Sequence, residues 1–240
     1  MFMNDDEIIA KATAQAKAMK KKLAKRMIDH LPEEESAVSV FMAGSPGAGK
    51  TETAKSIISK FKREHDIEVV HIENDELRKE FEDYQGLNSP LFQRPATLLV
   101  EAIHDRALKQ KVSFLLDSTL SSFEKAKSNI VRSLRKKRYV LIIFVYQDPE
   151  QAWCLVKARE KVEGRRVPPE VFINQFIESQ RVVSELKEIF TNQIDIIFME
   201  KNLDGTREKP YFNVNDIDAL LGKKYNRDSL EAITGITKSI

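Results

Sequence analysis

Cysteine is almost missing from this 240-residue chain, where Cys154 stands alone. One thiol excludes an intrachain disulfide framework, and His30, His65, His71 and His104 show no metal-ligand spacing with it. A reducing compartment is the expectation. Long apolar runs are missing as well. "VLIIFVY", Val140 to Tyr146, falls far short of the roughly 20 residues that cross a bilayer, and the opening "MFMNDDEII" has no basic start followed by an apolar run. A soluble cytoplasmic protein without a membrane partner is expected. There is little net charge of either sign: 39 Lys and Arg against 37 Asp and Glu leave +2. "KAMKKKLAKR" and "RSLRKKRY" are local basic clusters only, so global charge supplies no footprint for nucleic acid. No repeat, low-complexity segment or N-K-x-D tetrad of guanine specificity occurs.

What is present suits an α/β protein. With 42% hydrophobic and 32% charged residues, the composition is that of an ordinary globular chain. Asn4 and Glu7 have capping-box spacing, and Ile8, Ala12, Ala16, Met19, Leu23 and Met27 then recur at helical intervals. Residues 1–31 therefore read as an amphipathic helix packed on the domain. Its other face carries Lys11, Lys17, Lys21 and Lys25, a solvated face or a docking surface for a protein partner. After Pro32, strands are expected near 37–43, 67–72, 112–117, 139–146 and 194–199, alternating with helices. That order predicts a P-loop NTPase fold with a mostly parallel sheet of about five to six strands, helices on both faces and a helical lid. Asp148-Pro149 and Pro168-Pro169 start the two lid helices. Residues 1–240 form one domain in this reading. Asp204-Gly205 suggests a tight turn, and 206–240 form an extension of short helices whose docking the sequence leaves open.

"GSPGAGKT", Gly44 to Thr51, satisfies G-x-x-x-x-G-K-[ST] between an apolar strand and the helical "ETAKSIISKF". Gly44, Gly47 and Gly49 let the backbone N–H groups of the loop, Ser45, Pro46 and Ala48 included where they carry one, turn around phosphate oxygens. The next helix, through Glu52, aims its positive end at the same place. Lys50 can bridge the outer phosphates and Thr51 can ligate Mg2+.

Functional groups in such a sheet collect beyond the carboxyl ends of the strands. "IEVVHI" ends there in Glu73-Asn74-Asp75, and "FLLDST" brings Asp117 and Thr119. Asp75 is the candidate general base for an acceptor hydroxyl, with Asn74 beside it; capping of "ELRKEF" by either residue is the alternative. Asp117 reads as metal ligand or acceptor contact, and the two roles stay open. Ser121 with Glu124 has capping-box spacing and is left out of the site. In "KAREKVEGRRVPPE", Arg159 and Arg165, with Arg166 next, can stabilise charge on a transferred phosphoryl group, in cis; for Arg159, pairing with Glu163 on its own helix is the alternative. A small phosphotransferase follows.

The ordered set "GSPGAGKT", "ENDELR", "EAI", "LLDST", "AREKVEGRRVP" and "KNLDG" resembles the zeta toxins and the wider zeta-toxin-domain kinases, over roughly residues 5–205. The resemblance implies phosphorylation of a sugar hydroxyl of UDP-N-acetylglucosamine by ATP with Mg2+, and a dedicated antitoxin as partner. By position it implies that Lys50 and Thr51 hold phosphate and magnesium, that Asp75 is the base, and that Arg159 and Arg165 are lid arginines. Glu101 is similar to an acidic residue that binds the acceptor sugar, and Asp117 and Thr119 stand where further acceptor contacts lie. The chain departs from the family at Asp117-Ser118-Thr119, where glutamate and glycine-threonine are frequent, and at Leu120-Ser121, where glycine-arginine is frequent. Those departures bear on the acceptor more than on the donor. Alternatives are a kinase of polynucleotide ends or another small metabolite, for which "RSLRKKRY" would track the backbone, and an ATP-binding regulatory module without turnover.

Overall fold

In the computed structural model, which describes residues 4–202 and 208–236, the apolar runs become strands β1 (Val38–Ala43), β2 (Val70–Glu73), β3 (Phe114–Asp117), β4 (Tyr139–Tyr146) and β5 (Asp195–Lys201). A sixth, β6 (Glu208–Tyr211), follows. The sheet has the order β2-β3-β1-β4-β5-β6 and is parallel except for β6, which runs antiparallel to β5. This is the P-loop NTPase architecture. Strand β2 starts at Val70, three residues later than the apolar run implies, because its pairing with β3 begins at Val70↔Phe114. The expected turn at Asp204-Gly205 lies outside the described residues.

Alternation along each strand assigns the two faces. Phe41, Ile72, Phe114, Leu116, Ile142, Phe144 and Phe198 point one way, into a core closed by α1 (Asp5–Ile28), α4 (Gln93–Gln110), α5 (Phe123–Arg135) and α7 (Pro169–Phe190). Val40, Met42, Leu115, Leu141 and Ile143 point the other way, onto α2 (Lys50–His65). Helix α1 begins in the expected capping box, with the Asn4 N–H donating to Glu7 Oε2 and the Glu7 N–H to Asn4 Oδ1, both at 2.9 Å. Its Ala12, Ala16, Leu23 and Ile28 are buried against α4, while Lys17, Lys21 and Lys25 stay exposed. Small alanines there let two helices approach closely.

Part of the "RSLRKKRY" cluster is structural. Arg138 is buried and donates to Ser39 Oγ at 2.7 Å, Val38 O at 2.8 Å and Val112 O at 2.7 Å. It ties together the amino ends of the central strands, the opposite end of the sheet from the phosphate loop. The idea that the basic residues there track a nucleic-acid backbone is thereby corrected for Arg138, whose charge is used internally.

The described part of the tail holds one short helix, as expected, and a strand that was not. Strand β6 extends the sheet, and α8 (Arg227–Thr234) packs Leu230 among Ala152, Val156, Phe172 and Phe176 of α6 (Pro149–Glu163) and α7. Tyr225 OH donates to Asp148 Oδ2 at 2.7 Å, the same carboxylate that caps α6. Among the described residues no helix is long and apolar enough to cross a membrane.

One buried group gives the fold a pH dependence. His104 on α4 lies edge-on to the Phe114 ring at 4.8 Å, its Nε2 has no partner, and burial, with Arg132, Arg138 and Lys125 nearby, lowers its pKa from 6.5 to about 3. The unfolded chain therefore takes up a proton below pH 6.5 that the native state refuses, and this neutral histidine's contribution is lost as pH falls towards 3. The slope is about 1.4 kcal/mol per pH unit from this residue. His104→Phe is expected to flatten the acid limb, narrowing the stability lost between pH 7 and pH 5 by about 1–2 kcal/mol in urea melts. Superimposable acid limbs for both proteins would contradict it.

Candidate active site

The loop between β1 and α2 is shaped by glycine where side chains cannot fit. Gly44 has φ +131°, and a Cβ there would stand 2.2 Å from Val145 O; Gly47 has φ +76°, and its Cβ would stand 2.1 Å from Ala152 O. Both obstacles are backbone atoms and cannot swing away. Ser45 and Ala48 are buried, whereas Pro46, Gly47, Gly49, Lys50 and Thr51 line the cleft. Gly49 precedes α2 and brings no capping side chain, so the positive helix end faces the cleft uncapped by its neighbour. The Lys50 ammonium donates to Ser45 O at 2.8 Å, held over the loop. Burial lowers its pKa, partly offset by Asp117 and Asp75.

The wall below Thr51 comes from sheet parity. On β2, His71 and Glu73 alternate with buried Val70 and Ile72 and so point to the α2 side; on β3, Asp117 shares the direction of Leu115. Parallel register sets Glu73 directly beside Asp117. Thr51, in the first turn of α2, closes the group: its hydroxyl lies 2.9 Å from Asp117 Oδ2 and 3.2 Å from Glu73 Oε1. His71 Nε2 is 3.7 Å from Asp117 Oδ2 and 3.9 Å from Glu73 Oε2, beyond hydrogen-bond range. Burial and then the Asp117 charge raise the Glu73 pKa. Burial also pushes Asp117 upward, but His71, Lys50 and the Thr51 hydroxyl outweigh it and hold Asp117 below its usual value.

The donors suit the Mg2+ that the motif implies. Thr51, Asp117 and Glu73 present oxygens within a few ångströms of one another, and Glu73 Oε2 is buried without a partner. A cation would satisfy that atom and the adjacent negative charge together. The imidazole of His71, whose Nε2 is also unpartnered, adds a nitrogen that Mg2+ does not need.

Asp75 sits at the start of the short helix α3 (Asn74–Leu77), and neither it nor Asn74 caps that helix; Glu73 holds the cap position without a side-chain bond. Its carboxylate instead pairs with Arg165 from the loop after α6 and lies 3.4 Å from Arg78. Arg78 is buried, donates to Asn74 Oδ1 at 3.1 Å and pairs with Ser89 and Gln93, so it braces the Asn74-Asp75 turn from behind. Arg159 reaches Glu52 on α2 rather than Glu163 on its own helix, and Arg166 is largely exposed, 3.9 Å from Glu160. Gly164, in the left-handed region at φ +70°, makes the turn that returns Arg165 to the cleft.

These walls enclose a cleft of about 640 Å³ running from the phosphate loop past Asp75 to α5. Asn74, Asp75, Asp117, Thr119, Arg159 and Arg165 line it together with Lys50 and Thr51. Glu101 does not. It pairs with Lys125 at 3.1 Å and Arg132 at 3.6 Å, and only Lys125 of the three reaches the cleft. The capping box expected at Ser121 is absent, because α5 starts at Phe123 after Ser122, and the Ser121 hydroxyl bonds Thr119 Oγ1 at 2.9 Å and lines the cleft. Sequence spacing does not mark His71, Glu73, Arg78, Lys125 or Asn129 as site residues, and it assigns Ser121 to a cap. For His71 and Glu73 the available signal was their i, i+2 spacing at a strand end, which puts both on one face.

A model of the zeta toxin family, described as "Zeta toxin", matches residues 21–209. The chain belongs to the zeta toxin family. Among solved structures it is similar to a chain from the PezAT chromosomal toxin-antitoxin system of Streptococcus pneumoniae, with a TM-score of 0.61 at 16% identity over 94% of this chain and 89% of that one. It is equally similar in fold to a chain of the AvrRxo1-ORF1:AvrRxo1-ORF2 complex with sulphate ions, with a TM-score of 0.61 at 15% identity over 97% of this chain and 73% of that one. The complex solved with ATP gives a TM-score of 0.61 at 14% identity over the same shares. A search of curated proteins finds no match. At these identities the structural likeness concerns the fold.

Proposed function

We propose that this zeta toxin family member is an ATP-dependent kinase that transfers the γ-phosphoryl group to a sugar hydroxyl of UDP-N-acetylglucosamine or a similar nucleotide sugar. The observation that carries the reading is the shared cleft: Asp75, a carboxylate free of helix capping, lines the same cavity as Lys50, Thr51, Arg159 and Arg165. The loop glycines and Lys50 hold the donor phosphates. Thr51 and Asp117 hold Mg2+, which when bound neutralises charge on the phosphate oxygens. Asn74 and Thr119 contact the acceptor, and Glu101 acts on the sugar through Lys125, with which it pairs at 3.1 Å.

Asp75 accepts the proton of the acceptor hydroxyl as its oxygen bonds to the γ-phosphorus. The bond from that phosphorus to the bridging oxygen breaks, and ADP leaves with the electron pair. Arg159 and Arg165, attached to the lid, place positive charge against the transferring group and shut out water. Arg165 pairs with Asp75. Engagement of substrate has to release that carboxylate, which couples lid position to the availability of the base. The setting for such chemistry is the cytoplasm, where ATP and nucleotide sugars are found. An antitoxin protein is the proposed partner, with the lysine-rich outer face of α1 as its first candidate surface.

The test is incubation with labelled ATP and Mg2+ against a panel of UDP-sugars, free sugars and oligonucleotides, with Lys50→Ala as control. Label in a UDP-sugar supports the proposal. Label in an oligonucleotide moves the enzyme to another acceptor, and slow ATP hydrolysis without labelled acceptor removes the kinase assignment.

A further inference from the structure

The group formed by His71, Glu73, Asp117 and Thr51 contains more than a nucleotide's Mg2+ requires. The imidazole nitrogen and both carboxylates supply ligand atoms within 4.8 Å of one another. Glu73 is the decisive member. Its side chain is 10% exposed and its Oε2 has no partner, and it faces the equally unpartnered Nε2 of His71 at 3.9 Å. Two buried polar atoms are thus left opposite each other beside a third charged group, an arrangement that costs free energy unless something fills it.

We propose that His71, Glu73 and Asp117, completed by the Thr51 hydroxyl, form a preformed site for a divalent transition-metal ion that binds without nucleotide. Four groups on three elements converge here: β2 gives His71 and Glu73, β3 gives Asp117, and the first turn of α2 gives Thr51. Two ligands bound at about 2.1 Å stand about 3.0–3.4 Å apart in octahedral or tetrahedral arrangements. The separations of 2.9, 3.2, 3.7 and 3.9 Å seen here approach that range. The ligand atoms of His71, Glu73 and Asp117 all lie within 4.8 Å of one another, and a bound ion would draw them closer.

Ligand type selects the ion. Mg2+ takes oxygen ligands, keeps several waters and usually arrives with phosphate, whereas imidazole favours first-row transition ions. One nitrogen among oxygens, all supplied by protein, therefore points to an ion such as Mn2+ that is resident before ATP enters. This goes beyond the kinase reading: it shares Thr51 and Asp117 with the Mg2+ role proposed there, but neither donor nor acceptor takes part in the binding.

The probe is Mn2+ added to the full-length, nucleotide-free protein, followed by loss of the free-ion EPR signal and by pulsed EPR for nitrogen modulation from a coordinated imidazole. Expected are one Mn2+ per chain, retained against a roughly tenfold excess of Mg2+, and a nitrogen signal. His71→Asn should abolish that signal and weaken Mn2+ binding by about tenfold or more. Absence of stoichiometric Mn2+ binding without nucleotide overturns the proposal, as does a bound ion with no nitrogen signal. Should His71→Asn fail to fold, the nitrogen signal of the unaltered protein decides alone. Because no turnover is read, failure here leaves the kinase assignment untouched, and failure of that assignment leaves this one standing.

Discussion

Asp75→Asn is expected to lower phosphoryl transfer by about 10²–10⁴-fold. The amide matches the carboxylate in size and can still meet Arg78 and Arg165, so the turn braced from behind by Arg78 should keep its shape. It cannot take the acceptor's proton. Nucleotide affinity should remain within about threefold of the unaltered protein, because the loop glycines and Lys50, which hold the phosphates, lie on different elements. Steady-state transfer and a nucleotide titration on the same preparation separate the two quantities. Equal turnover would move the base elsewhere in the cleft, with Asp117 the next carboxylate in line.

Lys50→Ala has the second large effect and the opposite signature. The ammonium is poised over the loop on Ser45 O at 2.8 Å, and burial makes its charge count for more than an exposed lysine's would. Without it, kcat/KM should fall by about 10²–10³-fold, a loss typical of one charge-stabilising donor, and nucleotide binding should weaken too. Its absence also removes one of the cations that interact with Asp117 and Asp75. Circular dichroism and thermal melting should stay close to the unaltered protein, because Lys50 contacts the loop and not the core. A variant that binds and transfers normally would remove the phosphate loop from the chemistry.

How far the sequence alone carried this account depended on whether each signal was local. Strand β4 was legible to the residue, since eight consecutive strand-forming residues between breakers leave little choice. The phosphate loop was legible because glycines at fixed spacing answer to steric needs that the structure shows at Gly44 and Gly47. The cap at Asn4 follows the same logic. The box expected at Ser121 fails because the helix starts one residue later, with Ser122 at the cap, and the Ser121 hydroxyl bonds Thr119 instead.

Non-local features were hidden. Strand β6, "EKPY", has no apolar alternation and contains Pro210; it becomes a strand only as an edge partner of β5, where a missing N–H is tolerated. Its Glu208 pairs with buried Lys201 and accepts from Thr53 Oγ1 at 2.6 Å, so the edge also steadies α2 just behind the loop. The metal-ligand wall was missed for a related reason. His71 and Glu73 meet Asp117 through strand register, forty-odd residues apart in sequence, a proximity that local histidine and cysteine spacing does not register. Glu101 shows the converse: an acidic residue in a family-like segment turns towards Lys125 and Arg132 once α4 and α5 are packed.

The most direct measurement is phosphorus NMR of UDP-N-acetylglucosamine incubated with ATP, Mg2+ and the protein. The account predicts a new phosphomonoester resonance coupled to a sugar proton, growing as ATP becomes ADP and missing with Asp75→Asn. ADP and inorganic phosphate appearing together, with the sugar nucleotide spectrum unchanged, would contradict it.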